Sequence, residues 1–226
     1  NSYTGGNTIT GGTLQVATTS SLGATTNNLS ISGNGTLDLQ TGTQTQGNVI
    51  VTNGNIINGT LTNSGITFTG GSNNITAALA GAGGLTNASG STTLTGTNTY
   101  SGGTVVSGGS LYVSGNGTLG STSGTTTIND STLDLGTTTQ TQALVSLSNG
   151  IATNGTFNNA AILGNGGSNT TATALIGTSS VTNAAGTNIL TSTGNSYTGG
   201  NTITGGTLQV ATTSSLGATT NNLSIS

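Results

Sequence analysis

Apolar residues recur along this chain as short triads with a polar residue between them: Leu14-Gln15-Val16, Leu29-Ser30-Ile31, Leu37-Asp38-Leu39, Ile66-Thr67-Phe68, Leu111-Tyr112-Val113, Leu133-Asp134-Leu135 and Val145-Ser146-Leu147. An alternation of period two places both apolar members on one face, which predicts short strands with one buried side. Gly-Gly, Asn-Gly and Ser-Gly pairs separate the triads and predict turns. No stretch carries the i, i+3, i+4 apolar spacing of a helix, and Gly and β-branched Thr at this density oppose one. The expected class is all-β without helix.

The triads belong to a longer cycle. Residues 1–32 reappear unchanged at 195–226, a period of 194, and residues 98–129 match the first block at 12 of 32 positions. GTLDL at 35–39 answers STLDL at 131–135, and TQTQ at 43–46 answers TQTQ at 139–142, with single-residue slips. This organisation predicts unit A at 1–97, unit B at 98–194, and the start of the next unit A at 195–226. Sandwiches and barrels close on themselves, whereas a solenoid adds coils without limit, so the cycle favours a β-solenoid. At roughly 20 residues per coil, each 97-residue unit supplies about five coils, and the chain about eleven stacked ~4.8 Å apart.

Composition removes most functional classes. Gly, Thr, Ser and Asn fill 149 of 226 positions; Lys, Arg, His, Cys, Met, Trp and Pro are absent, and the only acids are Asp38, Asp130 and Asp134. General acid–base catalysis, an activated nucleophile or a transition-metal site cannot be assembled from that set, and nucleic-acid binding lacks its cations. The reading is therefore not an enzyme, with no catalytic, cofactor-binding or metal residue and no cofactor. A net charge of −3 gives little long-range steering. No apolar run reaches a membrane span, so no membrane insertion is expected in this segment.

The stretch Gly84 to Val113, GLTNASGSTTLTGTNTYSGGTVVSGGSLYV, resembles the autotransporter-associated β-strand repeat of large bacterial surface proteins. Gly84, Leu85, Leu94, Thr95, Asn98, Tyr100, Gly102, Gly103, Thr104, Val106, Gly109, Leu111 and Val113 carry the pattern. It returns from Asn195 and Tyr197 to Val210, and from Asn1 and Tyr3 to Val16. The resemblance implies a right-handed parallel β-helix, export and extracellular or cell-surface display.

Individual residues add expectations. Tyr3, Tyr100 and Tyr197 share one repeat position and are expected to pack at a coil end with the hydroxyl satisfied, rather than form a sugar-binding ladder. Asp38 and Asp134, each between two apolar residues, are expected at the surface as solvated acids; Asp130 has no counterpart acid. Thr-rich runs such as 125–128 invite an ice-binding reading, but a flat hydroxyl face needs Thr-x-Thr at one place on every coil, and the spacing looks irregular. The functional expectation is a structural segment of a surface or matrix fibre that associates with copies of itself. An adhesin stalk or glycan-binding passenger module is the alternative, and a carbohydrate-cleaving enzyme is a distant third.

Overall fold

The structure is a computed structural model that describes residues 1–211 and 216–226; part of the third predicted segment, at 212–215, lies outside the described residues. Every strand pairing among them is parallel, and no helix occurs. The chain coils as a β-solenoid, as the long repeat predicts, and its strands run parallel, as the resemblance implies.

One face runs the length of the coil. Its inner column passes from Asn7 to Leu29, Val49, Ile66, Leu85 and Thr104, in steps of 22, 20, 17, 19 and 19 residues. It continues to Thr126, Val145, Ile162, Val181 and Asn201 in steps of 22, 19, 17, 19 and 20, and then to Leu223. Five coils thus carry Asn7 to Thr104 and five more carry Thr104 to Asn201, each set spanning 97 residues. The coils are unequal, yet in both sets the first is the longest, at 22 residues, and the third the shortest, at 17.

A second face stacks Leu14 on Leu37, Ile56, Ile75, Leu94 and Val113. Leu111 rather than Val113 is the sequence counterpart of Leu14, so this face slides by two residues per five coils. A slide of two preserves which side chains point inward. On the third face only three coils in each unit pair as strands: Thr43–Gln46 on Thr60–Asn63 on Ala78–Ala80, and Thr139–Thr141 on Thr156–Asn158 on Ala174–Ile176. The remaining coils cross it as loops.

Inward members of the triads form one apolar core, with Ile31, Leu37, Val51, Ile56, Leu111, Leu133 and Leu147 fully buried. Each such side chain contributes about 1.5–3 kcal/mol by leaving water. The corner between the first and second faces is equally regular. Gly12, Asn34, Asn53, Gly71, Gly90, Gly109, Asp130, Asn149, Gly167, Gly186 and Gly206, one per coil, all have φ between 48° and 78°. Left-handed backbone is open to Gly and tolerated by Asn and Asp, and the column holds nothing else. Asp130 therefore does have a counterpart: it is Asn34, which fills the same corner one unit earlier.

Candidate functional site

The 22-residue coils set the first polar problem. Where a coil crosses the third face as a loop, its backbone N–H and C=O groups have no neighbouring strand, and burial without partners costs about 1–3 kcal/mol each. The TQTQ segments supply the partners. Gln44 Oε1 accepts from Leu22 N at 3.0 Å while its Nε2 donates to Ser20 O at 2.9 Å. One unit later Gln140 Oε1 accepts from Leu119 N at 3.0 Å and its Nε2 donates to Gly117 O at 2.9 Å. Gln46 accepts from Asn7 Nδ2 at 3.0 Å, and Gln142 from the Thr126 hydroxyl at 3.1 Å. All four glutamines are buried. The alternation that makes a strand aims both glutamines inward, so the recurring TQTQ reports an interior device that sequence reasoning noted without assigning.

The recurring tyrosines are structural in the same sense. Tyr100 and Tyr197 are fully buried, with hydroxyls paired to Thr104 Oγ1 at 2.7 Å and to Asn201 Oδ1 at 2.6 Å. Tyr3, in the first coil, bonds Asn7 in the same way but is 44% exposed. Burial raises the Tyr100 hydroxyl pKa well above its ordinary value and pushes that of Tyr197 up to about 12.

The three carboxylates are occupied by their own chain. Asp38 accepts from Asn58 Nδ2 at 2.8 Å, from Gln40 N at 2.9 Å and from Gln15 Nε2 at 3.1 Å. Those bonds, led by that of Asn58, hold its pKa down at about 2. Asp134 repeats the arrangement with Asn154 Nδ2 at 2.9 Å and Gly136 N at 2.8 Å. Asp130 accepts from Asn149 Nδ2 at 2.8 Å, as Asn34 Oδ1 does from Asn53 Nδ2 at 2.9 Å. Asp38 is thus only 9% exposed beneath neighbouring amides, which corrects the expectation of a freely solvated acid. Among the described residues no three acidic, His or Cys side chains come together.

The outer column of the first face also departs from expectation. Its members, in register order, are Thr8, Ser30, Ile50, Thr67, Thr86, Val105, Thr127, Ser146, Leu163, Thr182, Thr202 and Ser224. Nine of the twelve bear hydroxyls and none is charged. The uneven coil lengths that make Thr spacing look irregular along the chain are absorbed at the corners and loops, leaving this column continuous.

No curated protein and no solved structure matches the chain. A family model for the passenger-associated-transport-repeat matches residues 1–16, 89–113 and 185–210, under a third of the length. Each match ends on the same second-face valine, Val16, Val113 or Val210. The motif residues in the middle match have structural work: Asn98 Oδ1 accepts from Leu79 N at 2.9 Å, Tyr100 fills the coil end, Gly109 turns the corner, and Leu111 and Val113 enter the core. Three segments of this β-solenoid, recurring about once per five-coil cycle, thus match the passenger-associated-transport-repeat.

Proposed function

We propose that the chain is a structural segment of an extracellular surface or matrix fibre, in which stacked coils supply length and stiffness and copies of the chain associate. The observation that carries this reading is the unbroken first face: twelve parallel rungs from Asn7 to Leu223, each coil pairing with the next. An array of this kind extends by adding coils, and its stability is a sum of nearest-neighbour contacts. The polar side chains that would draw attention as chemistry, Gln44, Gln140, Asp38 and Asp134, serve the coil itself. The passenger-repeat match supports secretion or cell-surface display, and a chain without Lys or Arg offers no site to trypsin-like proteases.

Negative-stain imaging with sedimentation of the purified chain tests the reading. Rods of about 50 Å that join into bundles or filaments as concentration rises are expected. Dispersed single rods at every concentration would sink the fibre reading, and tight, specific retention on a glycan panel would replace it with the adhesin alternative.

A further inference from the structure

The outer column of the first face is hydroxyl-bearing except at three rungs, Ile50, Val105 and Leu163. These are the third, sixth and ninth of the twelve, so the apolar rungs are evenly spaced about Val105. Ile50 is 48% exposed, and Val105 and Leu163 are half-buried. All three carboxylates lie elsewhere: Asp38 and Asp134 in second-face strands, and Asp130 in the corner.

We propose that the first face is the mating surface between two copies of this chain, related by a two-fold axis through Val105. Such an axis runs the two solenoids antiparallel. It sets Val105 against Val105 of the second copy and Ile50 against Leu163 of the second copy, while hydroxyl rungs oppose hydroxyl rungs. An isologous contact needs a self-complementary surface, and a column symmetric about its sixth rung is one. The face measures about 50 Å by 13 Å, from eleven spacings of ~4.8 Å and strands of about four residues. Two copies then bury on the order of 1,300 Å² together, within the range of specific interfaces. No carboxylate meets another across it. Exposed Ile50 and half-buried Leu163 interrupt the hydroxyl column, which suits mating of two matched surfaces rather than adsorption to a flat lattice.

The inference rests on the fibre reading and names the surface that reading uses. Charge at the axis tests it. Val105→Lys and Val105→Asp each bring like charges face to face. Sedimentation is expected to show each one shifted to monomer at concentrations where the native chain associates, a weakening of at least about tenfold. Mixed one to one, the two variants are expected to recover association. Tyr112→Lys, on the outside of the second face, is expected to associate like the native chain. A second pair guards against misfolding at the axis: Thr86 faces Thr127 of the second copy. Thr86→Lys with Thr127→Asp in one chain therefore retains association, and Thr86→Lys with Thr127→Lys loses it.

Native-like association of both Val105 variants, or failure of their mixture to recover, overturns the pairing while leaving the fibre reading intact. A native chain that stays monomeric removes both. Retention of a monomeric native chain on insoluble cellulose that Val105→Lys abolishes reassigns the face to a glycan and overturns the pairing.

Discussion

Gly120 lies on the ring of Tyr100: a Cβ built there would stand 2.7 Å from the ring's Cδ2 and 2.5 Å from the Tyr100 carbonyl oxygen. The same pair recurs as Gly23 on Tyr3 and Gly217 on Tyr197. A buried aromatic at the end of one coil thus needs a glycine in the coil above, in left-handed conformation at φ 80°. Gly115 provides the comparison, with φ 59° and open space around the missing Cβ. Gly115→Ala is expected to cost about 1 kcal/mol from backbone strain alone, and Gly120→Ala about 3 kcal/mol or more because the clash adds to it. Denaturant titration of both variants checks this; equal losses would mean that the ring does not enforce the glycine.

The strands, their inward residues and the approximate number of coils were legible from period-two alternation together with the long repeat. Three features were not. The glutamines at 44, 46, 140 and 142 could be seen to recur, but their partners, loop backbone groups for Gln44 and Gln140 and the Asn7 and Thr126 side chains for Gln46 and Gln142, lie in other coils. Asp130 hid its kinship with Asn34 behind a one-residue slip, although both satisfy the same left-handed corner. The hydroxyl column was masked because coils of 17 to 22 residues scramble its spacing along the chain. In each case the information lies between coils rather than within one.

Stability should be flat between about pH 5 and pH 9, because no side chain in this sequence titrates there. On the acid side, hydrogen bonds lower the Asp38 pKa in the folded state to about 2, below its unfolded value. Its contribution is therefore complete above about pH 4 and is lost as pH falls through 2. Asp38→Asn should blunt that acid loss. On the alkaline side, the unfolded tyrosines ionise near pH 10 while buried Tyr100 and Tyr197 resist, so stability falls as pH rises beyond about 10. Urea midpoints measured from pH 2 to 11 trace both limbs. A slope in the middle of the range would contradict the assignment.

Two substitutions of the same kind should have opposite signs. Gln140→Leu strands Leu119 N and Gly117 O inside the coil, at an expected cost of about 2–4 kcal/mol. Asn63 is buried too, but neither of its amide atoms has a partner. Asn63→Leu removes an unpaired amide from the interior and should raise stability by about 1 kcal/mol. Equal destabilisation by both would show that the Asn63 amide is satisfied in solution.

The two units fill equivalent interior positions with different side chains. Equivalent coils place one phenylalanine each in the core, Phe68 on the first face of unit A and Phe157 on the third face of unit B. Opposite these stand Leu61 in unit A, equivalent to Phe157, and Gly164 in unit B, equivalent to Phe68. The space beside Gly164 is taken by Asn188, whose Nδ2 would lie 1.4 Å from an added Cβ, whereas the corresponding residue in unit A is the shorter Thr92. The φ of Gly164 is not in the left-handed region, so the backbone itself would accept alanine. Gly164→Ala is therefore expected to cost about 2 kcal/mol by overpacking. Asn188→Thr in the same chain should return most of that, giving a coupling of about 1–2 kcal/mol in a double-mutant cycle. Phe157→Leu alone leaves a void, but combined with Gly164→Phe and Asn188→Thr it installs the unit A set in unit B and should restore near-native stability. Additive losses across that triple variant would show that the two phenylalanines fill unrelated spaces.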